Sequence, residues 1–282
     1  MDAVLLALVS AFGFGLMTVL LRPALGAGVE PLLGAFATVV VATGVALTAA
    51  VIRGDWDVEG LWPYALAGIL GPGVSQVLFT YAVREAGPSR TSATVGIAPL
   101  FSVFFAVVLL DEPLLAGIAL GALAIVGGGI LLATESGRPD HVKPIGLVLA
   151  LSAALVFALR DTFVRSVAVD SDVSPELAIT VTLTTGALTI LIALLVAQIR
   201  LRIGAFRHFV PAGIAFGVSY VSLYEAFYRG KLSVVAPLVA TECLWGLALS
   251  AIFFGRHERV GRRLVAGAAL VVAGGVLIGL SR

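Results

Sequence analysis

Charged residues are scarce in this sequence. Asp, Glu, Lys and Arg together make up 12% of the 282 residues, and the mean hydropathy is +1.09. A soluble domain normally contains about 25% charged residues, so the composition excludes an ordinary soluble protein and indicates a membrane protein. The formal net charge of +1 gives no reason to expect a nucleic-acid partner.

The sequence also lacks the residues of several common sites. A single cysteine, Cys243, excludes an internal disulfide and a cysteine-built metal cluster. The chain contains no GxxxxGKS/T phosphate loop, no HExxH zinc motif and no GxSxG nucleophile motif. We therefore expect no ATP-driven transport, no enzymatic activity, and no cofactor or metal.

What the sequence has instead is ten long apolar runs separated by short charged loops. The first run lies between Asp2 and Arg22, and its roughly 20 residues are long enough to cross ~30 Å of hydrocarbon. We interpret it as a membrane helix and not as a cleaved signal peptide. The ten predicted helices are 3–22, 31–52, 62–84, 89–110, 114–134, 145–166, 175–198, 208–229, 232–254 and 261–280. The expected fold is an all-α membrane protein with ten transmembrane helices.

Two alignments of the chain with itself indicate a duplication. A shift of 146 residues places GALAIVGGGILL, which begins at Gly121, on GAALVVAGGVLI, which begins at Gly267. A shift of 143 residues places Phe14 on Phe157 and also aligns two arginines, Arg22 and Arg165. Helices rich in Gly, Ala and Leu also match by chance, but two matches in the same order favour duplication.

The duplication predicts two five-helix repeats, residues 1–135 and 136–282. Because five is an odd number, the second repeat would enter the membrane from the opposite face. Such inverted repeats are typical of transporters that work by alternating access. The fifth helix of each repeat carries a GxxxG pattern, Gly117 to Gly121 and Gly275 to Gly279, which predicts close helix packing.

Corresponding segments of the two halves carry a family resemblance. APLFSVFFAVVLLDEPLLAGIALGALAIVGGGILL (98–132) and its counterpart (234–279) share a proline, an apolar helix, a glutamate and a helix of small residues. In the first half Pro99 and Glu112 match this pattern, and in the second half Glu242 and Glu258 match it. The pattern resembles the EamA-like family of the drug/metabolite transporter superfamily, although Cys243 stands where the family often has proline.

The resemblance implies a multi-pass protein of the inner cell membrane. It implies a secondary transporter of small metabolites such as amino acids, often in the outward direction, with both termini in the cytoplasm. The distribution of Lys and Arg among the predicted loops favours the opposite orientation. The resemblance is specific for the fold and says little about the substrate.

Four ionisable residues lie deep in the predicted helices, where a charge costs at least ~2.5 kcal/mol and suggests a function. They are Arg160, Asp161, Glu225 and Glu242, and we expect them in substrate binding or coupling. In the membrane, a carboxyl group without a partner is favoured in its protonated form. Glu242 has no local basic partner, so it is the first candidate for proton coupling. The structural alternative for Glu242 is a fixed hydrogen bond between helices.

Local ion pairs are the alternative for the other three residues. Asp161 and Arg165 are four residues apart, and so are Glu225 and Arg229, which is the spacing of helical ion pairs. Arg160 alternatively extends its side chain towards the membrane surface. The spacing also leaves open that Asp161 pairs with Arg165 while Arg160 reaches Glu225 or Glu242.

Aromatic and polar residues on other helices are candidates for lining a ligand cavity, which needs apolar walls and a few polar groups. Each of them is alternatively a packing or lipid-facing residue. These further candidates are Phe14, Thr18, Gln76, Tyr81, Tyr220, Tyr224 and Trp245. Gly71-Pro72-Gly73 interrupts the third predicted helix, which predicts either a passive kink or a broken helix that contributes to binding.

The leading hypothesis is a secondary active transporter, an exporter of small amino-acid-like or drug-like compounds. A passive facilitator or channel is the alternative, and a lipid-binding or scaffolding membrane protein is a third. The expected partners are a small-molecule substrate and the lipid bilayer. The sequence is also compatible with proton coupling and with a homodimer.

Overall fold

The structure, a computed structural model, is all-helical over the residues it describes. These residues are 3–98, 100–101, 104–105, 115–133, 143–168, 171–230, 235, 238–254 and 261–281. The helices are α1 (Ala3–Gly26), α2 (Pro31–Arg53), α3 (Trp62–Gly68), a π-helical segment (Ile69–Ser75), α4 (Gln76–Ala86), α5 (Pro88–Val95), α6 (Ala116–Ala133), α7 (Pro144–Ala168), α8 (Pro175–Val196), α9 (Ile203–Arg229), α10 (Glu242–Phe254) and α11 (Arg262–Leu280).

Six helical spans within the described residues are long and apolar enough to cross a membrane. They are Ala3–Gly26, Pro31–Arg53, Trp62–Ala86, Pro144–Ala168, Pro175–Val196 and Ile203–Arg229. Two shorter apolar helices, Ala116–Gly128 and Glu242–Phe254, accompany them. Each of these helices overlaps a run that was predicted from hydropathy, so the all-α membrane fold is confirmed.

Prolines mark the start of several helices. Pro31, Pro88, Pro144 and Pro175 are each the first residue of a helix, where the missing N–H has no helical partner to lose and φ is already suitable. Gly54 follows the end of α2 with φ 75°, a left-handed conformation that glycine adopts without steric cost. Short connections at such positions return the chain directly into the bundle.

The predicted interruption at Gly71-Pro72-Gly73 is present as the π-helical segment between α3 and α4. Gly71 has ψ −106°, outside the helical region, and its carbonyl accepts a hydrogen bond from Ser75 Oγ. Pro72 has no N–H to donate to the helix, and its ring crowds the preceding turn. The helix therefore adopts the wider π-helical geometry over this segment instead of continuing as a regular α-helix.

Four helices form two closely packed pairs, α1 with α9 and α4 with α7. The first pair contains an edge-to-face contact between Phe14 and Tyr220, with centroids 5.3 Å apart. In the second pair the rings of Phe79 and Phe157 lie 6.2 Å apart. Each pair takes one helix from each half of the chain, and the two pairs pack less extensively against each other than within themselves.

Helices α6 and α11 pack in a reciprocal arrangement. A Cβ added at Gly128 would lie 2.6 Å from Gly267 O, and one added at Gly274 would lie 2.5 Å from Gly121 O. The helices run antiparallel, because Gly121 and Gly128 meet Gly274 and Gly267 in reverse order. The contacts follow the 146-residue shift, which pairs Gly121 with Gly267 and Gly128 with Gly274.

The glycines at this seam differ in part from the predicted GxxxG patterns. The closest backbone approaches involve glycines seven residues apart, two helical turns, whereas the GxxxG spacing is four. Gly117 also lies on the seam, where it faces Ser281. The two contacts with carbonyl groups instead involve Gly121 and Gly128 on α6 and Gly267 and Gly274 on α11.

Two further helices are interrupted where they cross. The chain turns at Gly96 and Ile97 after α5, and it turns again at Ala240 and Thr241 before α10. Backbone N–H groups at both turns bond to carbonyls three residues earlier, which is the tighter 3₁₀ pattern. A Cβ at Gly96 would lie 3.0 Å from the Cβ of Cys243, so the two interruptions are in contact.

Candidate functional site

Arg160 is the centre of the buried polar cluster. Arg160 is only 2% exposed, and its side chain extends from α7 towards α9. Its Nη2 lies 2.8 Å from Asp161 Oδ1, and its Nη1 donates a hydrogen bond to the hydroxyl of Tyr220. The guanidinium carbon also lies 4.9 Å from the Tyr220 ring centroid and 5.5 Å from that of Phe157. Aromatic faces thus surround a cation that is removed from water.

The π-helical segment leaves room for the Arg160 side chain. A Cβ added at Gly71 would lie 3.1 Å from Arg160 Cγ and 3.2 Å from its Cδ. The arginine therefore packs its aliphatic part directly against the interrupted backbone. The interruption in α3–α4 and the buried cation, both noted in the sequence, belong to one site.

Several polar atoms of this cluster have no hydrogen-bond partner among the residues that the structure describes. They are Arg160 Nε, Asp161 Oδ1 and Gln76 Oε1. Asp161 Oδ1 forms an ion pair with the Arg160 guanidinium at 2.8 Å and has room for a further donor. Gln76 is fully buried, and among the described residues its Nε2 donates to Met17 Sδ at 3.9 Å. Buried donors and acceptors of this kind cost about 1–3 kcal/mol each unless a partner arrives.

Glu242 belongs to the same electrostatic environment. It is the first residue of α10, directly after the turn at Ala240 and Thr241. It interacts electrostatically with Asp161 and Arg160. Glu242 therefore lies within electrostatic range of the cluster formed by Arg160, Asp161 and Tyr220.

Three other predicted residues pack around this cluster. Phe14 contacts Tyr220 edge to face, and Thr18 donates a hydrogen bond to the carbonyl of Phe14 on its own helix. Tyr224 lies one turn after Tyr220, and its hydroxyl donates to Thr182 Oγ1 at 3.2 Å. Phe14 thus forms part of the wall, whereas Thr18 and Tyr224 satisfy their hydroxyls within the helix bundle.

Two candidates lie away from the cluster. The hydroxyl of Tyr81 donates to Glu30 Oε1 at 2.7 Å near the helix ends, and its ring contacts Arg84. Trp245 is 40% exposed and stacks edge to face on Phe12, itself exposed on the outer surface of α1. Both aromatic residues follow the packing alternative and are not brought to Arg160.

Glu225 also lies outside the cluster, in an ion-pair network at the ends of three helices. It pairs with Arg229 four residues later, as the helical alternative predicted, and with Arg53 at 3.9 Å. Arg53 also lies 3.6 Å from Glu176 at the start of α8. Of the two alternatives left open for Arg160, the one in which it reaches Glu225 does not fit these pairs.

The predicted pair of Asp161 and Arg165 is also wrong. Asp161 pairs with its neighbour Arg160, because the long arginine side chain bends back across one residue. Arg165 Nη1 instead donates to the carbonyl oxygen of Phe227 at the end of α9, at 2.8 Å. A helix C-terminus has free carbonyls and partial negative charge that attract such a cation.

Two residues of the site were not singled out from the sequence. Phe157 faces the guanidinium, and its place beside Phe14 under the 143-residue shift was the available signal. Met17, which contacts Gln76, is the counterpart of Arg160 under the same shift. In the part of the chain that the structure describes, His, Cys, Asp and Glu form no group suited to a metal ion. Pro99, Glu112 and Glu258 fall outside the described residues.

Comparison with known proteins supports the fold and identifies the family. A solved structure named "Crystal structure of protein" matches with a TM-score of 0.71 and 22% identity, over 98% of this chain and 95% of its own. No curated protein matches. The model of the EamA-like transporter family matches twice, over residues 1–134 and 144–280. With nearly all of its length covered by two family repeats, the chain belongs to the EamA-like transporter family.

Proposed function

We propose that the protein is a secondary active carrier that exports small amino-acid-like or drug-like compounds by alternating access. The observation that carries the proposal is the polar cluster of Arg160, Asp161 and Tyr220 between the two helix pairs, with Glu242 within electrostatic range of it. Family membership supports transport of a small solute across a membrane. The outward direction follows the family resemblance.

An inverted repeat would give this carrier its two conformations. The antiparallel, reciprocal seam between α6 and α11 supports such a repeat, because equivalent helices of inverted halves run in opposite directions. The two helix pairs would then rock against each other around Arg160. Each position of the pairs would expose the cluster to one side of the membrane.

The unsatisfied atoms of the cluster favour a zwitterionic ligand. A carboxylate would accept a hydrogen bond from Arg160 Nε, and an ammonium group would donate to Asp161 Oδ1 and Gln76 Oε1. The rings of Phe14 and Phe157 would cover an apolar side chain. An α-amino acid has these three parts in one small molecule.

The charges of the cluster support proton coupling. One guanidinium faces the carboxyl groups of Asp161 and Glu242. A second buried negative charge is costly without a cation, so either a proton or a positively charged substrate group would neutralise Glu242. If Glu242 binds either the proton or the substrate but not both, the movement of the substrate is coupled to that of the proton.

Counterflow in proteoliposomes tests this function. Vesicles are loaded with unlabelled L-amino acids, one at a time, and uptake of the same labelled compound is followed at several pH values. A carrier accelerates uptake when substrate is present on both sides, whereas a simple pore does not. We expect Glu242→Gln to retain exchange and to lose the dependence of net transport on an imposed pH gradient.

Glu225→Gln is the matched control, because Glu225 belongs to the ion-pair network away from the cluster. It should retain the response to the pH gradient. If Glu242→Gln keeps that response, Glu242 is not the coupling residue. Absence of trans-acceleration in the wild-type protein would replace the carrier by a passive channel.

A further inference from the structure

Two arginines that the duplication makes equivalent form the same contact at different helix ends. Arg22 Nη1, on α1, lies 3.4 Å from Val83 O and 3.1 Å from Arg84 O at the end of α4. Arg165 Nη1, on α7, lies 2.8 Å from Phe227 O at the end of α9. The 143-residue shift that pairs Arg22 with Arg165 also pairs Arg84 with Phe227.

The two contacts lie at opposite faces of the bundle. The backbone N–H of Lys143, just before α7, bonds to Glu85 O at the end of α4, so α7 begins where α4 and the Arg22 contact lie. Helix α7 is 25 residues long, and Arg165 is in its last turn. One membrane thickness, ~30 Å, therefore separates the Arg165 contact from the Arg22 contact.

Both contacts cross between the two helix pairs. Arg22 joins the α1–α9 pair to the end of α4, and Arg165 joins the α4–α7 pair to the end of α9. The buried cluster crosses the same interface between them, where Arg160 meets Tyr220 and Gln76 meets Met17. The interface is therefore held at each end and in the middle.

We propose that the Arg22 contact and the Arg165 contact close the two ends of the pathway to the Arg160 cluster, and that opening one exposes the cluster to that face. This inference rests on the proposed carrier function. Because both contacts are formed together, the structure corresponds to the occluded conformation. Hydrogen bonds from a charged donor are strong enough to hold such an end yet can exchange with water when the helices separate.

Cysteine labelling of the purified protein in detergent tests the proposal. In a Cys243→Ala background, Val83→Cys reports on the first end and Phe227→Cys on the second, since both residues are buried. They lie seven residues, two turns, after Gln76 and Tyr220 on the same helix faces. A polar maleimide labels each reporter at a rate set by how often that end opens.

We expect Arg22→Ala to raise the labelling rate at position 83 about tenfold, the scale of one charged hydrogen bond, and not at position 227. Arg165→Ala should do the reverse. Arg84→Ala is the control, because its side chain bonds Glu85 on the same helix and does not cross the interface. It should leave labelling at position 83 unchanged.

Equal effects of Arg22→Ala and Arg165→Ala on both reporters, or no effect at either, would overturn the proposal. The Arg→Lys variants keep a hydrogen-bond donor, so they should show smaller changes in labelling rate in the same directions. They also serve in place of any alanine variant that is not monodisperse. Labelling needs no substrate and no transport. If the two substitutions affect opposite reporters but counterflow is absent, the carrier function is rejected and the two closing contacts are retained. If counterflow is present but the reporters do not respond separately, the carrier function is retained and the closing contacts are rejected.

Discussion

At the scale of single residues, the informative feature is an arginine whose charge is neutralised by its own neighbour. Consecutive helical residues point about 100° apart, so Asp161 cannot lie beneath Arg160. The ion pair forms because the arginine side chain is long, while Tyr220 holds the other end of the guanidinium. Arg160 is the ion-pair partner of Asp161 within the described part of the chain, so we expect its removal to have a large effect.

Replacement of Arg160 by Gln should destabilise the protein strongly. Breaking a buried pair by removing one charge costs ~3–5 kcal/mol, because the other charge remains uncompensated. The Asp161 side chain keeps 29% exposure, so we expect the lower part of that range. The measurement is the thermal unfolding midpoint of the purified protein in detergent.

The double variant Arg160→Gln with Asp161→Asn is the control for this prediction. It removes both charges and keeps groups that can form hydrogen bonds, so it should recover most of the lost stability. A double variant as unstable as the single one would mean that Arg160 stabilises the bundle through Tyr220 and Phe157, and that the ion pair is secondary.

At the scale of helices, the seam between α6 and α11 depends on missing side chains. Gly128 and Gly274 each face a backbone carbonyl of the other helix, and a backbone cannot move aside as a flexible side chain can. Apolar surface alone does not drive helices together in lipid, so close backbone packing is the main attraction. One added methyl group should therefore separate the helices.

Gly128→Ala should lower the stability of the protein by ~1–3 kcal/mol, the range for overpacking. Gly127→Ala is the matched control one residue away, where an added Cβ would meet no described atom within 4 Å. Because alanine favours a helix over glycine by up to ~1 kcal/mol, this control should be neutral or stabilising. Thermal unfolding in detergent compares the two.

The repeat adds a second test of the same seam. Gly274→Ala should match Gly128→Ala, since the two glycines occupy equivalent positions under the 146-residue shift. A loss at Gly128 without a similar loss at Gly274 would contradict the reciprocal packing. Equal losses from Gly127→Ala and Gly128→Ala would show that flexibility of α6 matters and not its contact with α11.

The helices and their equivalence could be predicted from the sequence, but the faces they present could not. Hydropathy located the spans, and the two shifts paired Gly128 with Gly274 and Arg22 with Arg165. In a membrane both the lipid-facing and the buried sides of a helix are apolar. Trp245, three residues after Glu242, was therefore expected near the site and instead faces outwards.

At the scale of the whole molecule, the same interface between helix pairs contains the site and both closing contacts. A carrier must keep at least one end closed at all times, or solutes and water pass freely. In the inferred arrangement Arg22 and Arg165 supply that closure independently, because they lie at opposite faces and share no partner. Effects at distant sites without shared partners normally add in free energy.

Removal of both arginines should therefore convert the carrier towards a pore. If each substitution makes opening of its end about tenfold more frequent, conformations open at both ends should become about a hundredfold more frequent. Proteoliposomes that contain trapped pyranine measure this as a proton leak under an imposed pH gradient. Arg22→Ala and Arg165→Ala alone should leak far less than the double variant, because one end still closes.

A leak in the double variant that equals the sum of the two single leaks would contradict independent closure of one pathway. For two ends of one pathway the probabilities of opening multiply, whereas the leaks from two separate defects add. Absence of any leak would mean that the side chains around Arg160 exclude water by themselves. The multiplicative result would show that each of the two family repeats supplies one arginine to close one side of the membrane.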